Sequence, residues 1–239
     1  MRGVKHWYNQ SSMAGSLASD AVHADLRDAI LSGSLAPGDA VPSERELSER
    51  LGVNRHAVRE AVKRLQQARL VQVSQGGATR VLDWRETGGL DLLLDVALAR
   101  DGKVDAATLR AIGEMRACIG SDAARLCALR APAKVRRDIA ELAETVAEEL
   151  TEEANERLWD AIVDGCGNLA YRLSLNTLLA GMVQLPHFAA ELRPAPADAP
   201  PLAALATALR EGDGDGAAAA ARPQLERPLA ALARAAHKR

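Results

Sequence analysis

Aromatic residues are nearly missing from this chain. One Phe, two Tyr and three Trp make up 3% of its 239 residues, so its cores must be built from Leu, Ala, Val and Ile. Cysteine is scarce as well: Cys118, Cys127 and Cys166 are odd in number and show no Cys-x-x-Cys spacing. That argues against a disulfide framework and for a reducing, cytoplasmic setting. No apolar run is long enough to span a membrane, and Arg2, Lys5 and His6 are not followed by the apolar stretch of a secretion signal. The net charge is only −2, without the basic excess of a non-specific nucleic-acid binder. No phosphate-cradling glycine loop, nucleophile elbow, zinc pair or paired-acid arrangement occurs, so no catalytic centre is expected. Gly165-Cys166-Gly167 has the look of a reactive thiol setting but lacks a histidine nearby in sequence. The acidic turn Gly212–Gly216 lacks the spaced ligands and closing glutamate of a calcium loop.

What is present is a soluble globular balance, 48% hydrophobic and 26% charged, with length enough for two domains. The charge is unevenly placed. Arg45, Arg50, Arg55, Arg59, Lys63, Arg64 and Arg69 crowd one stretch, and glutamates from Glu141 to Glu156 crowd another. A local basic stripe is what phosphate contacts require. The glutamate run reads as a solvated face.

The basic stretch carries the most information. Ser43 is placed to cap a helix from Glu44 to about Leu51, with Glu46 completing a capping box. Gly52 suits a left-handed turn, and Asn54 is a good cap for a second helix. In that helix Val58, Val62 and Leu65 form an inward stripe, while Arg55, His56, Arg59 and Lys63 point elsewhere. Leu70, Val71 and Val73 read as a strand, Gly76-Gly77 as its turn and Thr79 to Val81 as the return. The tip from Ser74 to Ala78 is small enough for a minor groove. A helix with arginines exposed at its N-terminus fits the major groove, where arginine grips guanine O6 and N7 with two hydrogen bonds.

This segment resembles the winged helix of the GntR family of bacterial transcription factors. The likeness runs from Ile30-Leu-Ser-Gly-Ser-Leu-Ala-Pro-Gly-Asp through Pro42-Ser-Glu-Arg-Glu-Leu, Leu51-Gly-Val-Asn-Arg and Val58-Arg-Glu-Ala-Val. Asp83-Trp-Arg-Glu-Thr-Gly-Gly-Leu and Ala161-Ile-Val-Asp-Gly-Cys-Gly-Asn look like segments of its FadR subfamily. The resemblance implies DNA contacts at Arg45, Asn54, Arg55, His56, Ala57 and Arg59, with Gln75 and Gly76 at the wing tip. Asn54 stands where the family usually has Ser or Thr, and Gln75 where the FadR subfamily has histidine.

Beyond Trp84 leucines recur at helical spacing: Leu109, Ile112, Met115 and Ile119, then Ile139, Leu142, Val146 and Leu150, and on to Leu225, Leu229 and Leu232. Alanine fills the gaps, raising helix propensity and permitting close packing. The pattern predicts a bundle of six or seven helices. Arg193-Pro-Ala-Pro-Ala-Asp-Ala-Pro-Pro reads as a stiff connector, and Pro223 and Pro228 are expected to break or kink the last helix.

The expected fold is mainly α: a flexible arm (1–14), a winged helix-turn-helix with a small β wing (15–83), a linker helix (84–99) and an all-helical effector and dimerisation domain (100–236). The family resemblance implies a regulator that binds an inverted-repeat DNA operator as a homodimer. Arg116 matches the arginine that the family turns toward its ligand, an acyl-CoA or other carboxylate metabolite. Asn168, Tyr171 and Trp159 are further candidates. In the commoner branch an aspartate and three histidines hold a divalent metal. Asn155 and Trp159 stand at two of those positions, and His187 is the sole histidine within the bundle. Neither metal nor cofactor is therefore expected. A ligand-independent architectural protein and an enzyme with a DNA-binding appendage are the alternatives.

Overall fold

The computed structural model describes residues 4–74, 77–98, 106–182 and 193–236. The chain divides into two compact units, Met1–Val104 and Asp105–Arg239.

The first unit opens with α1 (Val4–Leu31), whose Val22, Leu26 and Ile30 recur every four residues and are buried. The helix begins at Val4, within the stretch 1–14 expected as an arm. No proline interrupts residues 4–31, and a helix already nucleated extends at low cost. α2 (Glu44–Leu51) carries the expected capping box. The Ser43 Oγ accepts from the Glu46 amide at 3.3 Å, and the Ser43 amide donates to the Glu46 carboxylate at 2.8 Å. Gly52 ends α2 at φ +64°, a left-handed conformation that a Cβ would strain. The Ser48 hydroxyl ties down the turn by donating to the Val53 carbonyl at 2.6 Å.

α3 (Arg55–Gln67) is capped by Asn54, whose Oδ1 accepts from the Ala57 amide at 2.8 Å. Its inward stripe is Ala57, Val58, Ala61 and Leu65, with Val62 only half-buried. The wing is shorter than its sequence pattern. β1 (Val71–Gln72) pairs antiparallel with β2 (Arg80–Val81), and Val73 is already exposed. Gln75 and Gly76 lie outside the described residues. Leu47, Val58, Leu65, Leu70, Val71 and Val81 close one core with α1.

The expected single linker helix is two short ones, α4 (Trp84–Thr87) and α5 (Leu92–Leu98). Gly88 turns extended, and a Cβ there would lie 2.5 Å from the Trp84 carbonyl oxygen. The Thr87 hydroxyl donates to the Arg69 carbonyl at 2.8 Å, which holds the break against the end of α3. α5 then docks on the first unit's own core. Leu92 and Ala97 are buried, and Arg27 of α1 reaches Asp95 at 2.7 Å.

The second unit contains six α-helices among the described residues: α6 (Ala106–Arg130), α7 (Ala133–Glu149), α8 (Glu152–Gly165), α9 (Leu169–Met182), α10 (Ala199–Glu211) and α11 (Gly214–Ala236). α6 packs against α11 and α8, and α7 against α10 and α8. Close approach of α6 and α11 is possible because position 120 is glycine; a Cβ there would meet Leu225 Cδ1 at 2.8 Å. The proline connector folds into a 3-10 turn at Pro196–Asp198, and Pro200 and Pro201 fall in the first turn of α10, where their missing amides cost nothing.

α11 continues through Pro223 and Pro228, so neither proline breaks it. Each proline deletes one helical hydrogen bond. Burial of Ala217, Ala221 and Leu225 at four-residue spacing offsets that loss. No helix among the described residues is long and apolar enough to cross a membrane.

Candidate nucleic-acid interface and ligand site

The two caps decide what α3 offers to a partner. Asn54 spends its side-chain carbonyl on the helix N-terminus, leaving its amide N–H groups as its outward chemistry. Arg55 and His56 follow in the first turn and are exposed. Arg45 on α2 is exposed too. None of these three makes a hydrogen bond or ion pair among the described residues, so their donors face solvent.

Two of the residues expected at the groove differ. Ala57 is 2% exposed, because the helical period turns it inward with Ala61; its side chain does not reach the surface. Arg59 is exposed but engaged. Its Nε donates to Glu44 Oε1 at 3.1 Å and its Nη2 to Glu44 Oε2 at 2.8 Å. The hydrogen bond from Arg59 holds the Glu44 carboxyl below its ordinary value, and the charge of Arg55 acts in the same direction. Farther along, Arg64 pairs with Asp20 of α1, while Lys63 is exposed. Glu44 escaped the sequence reading because its helical position advertises only a favourable charge at an N-terminus.

In the second unit, Arg116 lies on α6 and forms no hydrogen bond or ion pair among the described residues. Burial pushes its guanidinium down to about 10, and the like charge of Arg227 adds to the effect. It therefore remains a cation at neutral pH. Arg227, by contrast, is compensated. Its Nε donates to Asp198 at 3.2 Å, and it also donates to the Arg193 carbonyl.

Trp159 enters a buried polar chain that the sequence did not disclose. Its Nε1 donates to Gln224 Oε1 at 3.2 Å, and Gln224 Nε2 donates to Asn155 Oδ1 at 2.8 Å. The chain links α8 to α11. It occupies the two positions that the resemblance aligns with metal ligands, using neutral amides and an indole. Among the described residues no group of three or more His, Cys, Asp or Glu is placed to hold a metal ion.

The remaining candidates serve elsewhere. Asn168 caps α9, its Oδ1 accepting from the Ala170 amide at 3.1 Å. Tyr171 donates its hydroxyl to Asp122 at 2.9 Å. No hydrogen bond among the described residues joins either one to Arg116. Cys166 is buried with its thiol donating to the Val163 carbonyl at 3.0 Å, and burial pushes the nearby Cys127 thiol up to about 11. The Cys127 thiol is protonated at neutral pH and both cysteines are buried, which is the setting of inert cysteines.

Comparison with known proteins follows the same division. Residues 18–81 match the family described as "Bacterial regulatory proteins, gntR family", and residues 111–227 match the FCD domain. The HTH-type transcriptional regulator Mce2R of Mycobacterium tuberculosis is 40% identical over 162 residues, covering 63% of this chain and 64% of that protein. The fatty acid metabolism regulator protein of Edwardsiella ictaluri is 30% identical over 155 residues, 64% of each chain. The matched segment thus spans just under two thirds of the length of these relatives. Among solved structures, a Streptococcus agalactiae GntR aligns with 89% of this chain and 99% of its own, at 19% identity and a TM-score of 0.45. With the winged-helix unit matched at one end and the helical unit at the other, this chain carries a GntR-family helix-turn-helix domain followed by an FCD domain.

Proposed function

We propose that this chain is a cytoplasmic transcriptional regulator that binds an inverted-repeat DNA operator as a homodimer. Its grip on DNA is switched by a small anionic metabolite bound in the helical unit without a metal. The observation that carries the DNA reading is the capped α3 with Arg55 and His56 exposed and, among the described residues, making no hydrogen bond or ion pair, together with Arg45 exposed on α2. Two copies double the interface, and twofold protein symmetry matches a palindromic site. Arg55 reads a base edge, and Arg45 and Lys63 contact phosphates. Gln75 and Gly76 serve the wing tip.

The ligand reading rests on Arg116. A half-buried guanidinium that has no carboxylate partner among the described residues is desolvated at a cost, and an anion that binds it with two hydrogen bonds relieves that cost. An acyl-CoA or an organic acid supplies that anion, a class that agrees with the name of the fatty acid regulator relatives. A ligand shifts DNA affinity only by as much as its affinity differs between the two states of the protein.

The test takes duplexes enriched from a random pool and measures binding by fluorescence anisotropy with acyl-CoAs, dicarboxylates and sugar acids added in turn. Stabilisation by the same compounds in thermal denaturation, unaltered by EDTA, supports a metal-free site. Arg55→Ala is expected to weaken binding to the enriched duplex by ~1–3 kcal/mol. Unchanged affinity would remove Arg55 from the base-reading role, and no response to any anion would remove the switch.

A further inference from the structure

A carboxylate paired with an arginine of α3 needs a reason. Glu44 is the first residue of α2, yet the capping box uses Ser43 and Glu46, so the cap does not require it. Its two oxygens instead take the Nε and Nη2 edge of Arg59, fifteen residues away on α3. Arg55, one helical turn before Arg59, also feels its charge. Arg59 nevertheless remains 65% exposed.

Two consequences follow from guanidinium chemistry. With Nε and one Nη2 hydrogen engaged, the free donors are those of Nη1 and the second Nη2 hydrogen, at the far end of the fork. That end edge has the spacing of guanine O6 and N7. The pair is also electrically neutral, so it releases few counterions on any DNA and adds little to sequence-independent affinity.

We propose that Glu44 is a specificity-determining residue, locking Arg59 into an end-on base reader and withholding its charge from phosphates. The assignment rests on the DNA-binding reading above. It makes Glu44 a positioning residue that acts through Arg59 and against non-cognate DNA.

The experiment uses the full chain, wild type and with Glu44→Ala or Glu44→Asp. Binding is measured to the duplex that the wild type enriches from a random pool and to a scrambled duplex of the same length, over a series of salt concentrations. Circular dichroism verifies that each variant is folded. For Glu44→Ala, affinity for the scrambled duplex should rise several-fold, and its salt slope should steepen by about one as Arg59 becomes free to neutralise a phosphate. The preference for the enriched duplex should fall about tenfold. Glu44→Asp keeps the charge but shortens the reach, so it should leave the scrambled affinity near wild type while lowering the preference.

An Ala variant whose salt slope and preference both equal those of wild type overturns the assignment of Glu44 and leaves the DNA-binding reading standing. So does an equal loss on both duplexes, which marks a merely structural pair. A wild-type chain that enriches no common motif overturns the DNA-binding reading and this assignment with it.

Discussion

Replacing Asn155 and Gln224 with alanine, singly and together, measures the buried chain that ties α8 to α11. The link is a neutral hydrogen bond of 2.8 Å between side chains that are 7% and 4% exposed. Such a bond nets ~0.5–1.5 kcal/mol, whereas orphaning a buried partner costs ~1–3 kcal/mol. Asn155→Ala leaves one Gln224 donor unpaired and should cost roughly 1–3 kcal/mol. Gln224→Ala strands both Asn155 Oδ1 and Trp159 Nε1 and vacates more volume, so its cost should be larger, roughly 2–4 kcal/mol. The double variant has already lost the shared bond. It should therefore fall short of the sum by about 1–2 kcal/mol, the coupling of the pair. Urea unfolding followed by Trp159 emission, with Trp7 and Trp84 replaced by Phe throughout, isolates the second unit. Additivity within about 0.5 kcal/mol would show that the two amides do not support one another and would refute the chain as a unit.

Three further outcomes follow from the same reasoning. Arg116→Met should leave the ligand-free protein equally or more stable in thermal denaturation, because it removes a half-buried, desolvated cation that has no carboxylate partner among the described residues; a loss above about 2 kcal/mol would show a structural partner instead. His23 of α1 is held below its ordinary 6.5 by burial and by Arg64 and Arg27, against the opposing pull of Asp20 and Asp28. The unfolded chain therefore binds the proton first, so stability is full above pH 6.5 and falls as the pH drops toward the folded value. His23→Gln should flatten that limb of the urea midpoint against pH, and an unaltered curve would exclude His23 as its source. In Gly165→Ala the new Cβ would lie 2.7 Å from Cys127 Sγ and 3.3 Å from Ile139 Cδ1, so a loss of ~1–3 kcal/mol is expected in urea unfolding; wild-type stability would mean the thiol yields freely.

Much of the winged-helix unit was legible because its signals are local. Ser43 and Glu46 satisfy each other within one turn, Gly52 needs a positive φ, and Asn54 caps the amide three residues on. Such interactions involve neighbours in sequence, so residue type and spacing suffice to foresee them. Ala57 was placed at the groove by resemblance, yet the helical period that buries Ala61 buries it too. The linker was read as one helix because leucines recur from Leu90 to Leu98, while Gly88 and its close approach to the Trp84 carbonyl impose a break.

By itself, then, the order of residues determined the caps, the left-handed turn, the amphipathic stripes and the division into a winged helix and an α-helical unit, since each depends on contacts within a few positions. Tertiary structure alone decided that Glu44 would take Arg59, that Gln224 would bridge Trp159 and Asn155, and that α11 would continue through two prolines. Those outcomes depend on partners between 15 and 69 residues apart or on packing against another helix, and burial rather than propensity sets their energy.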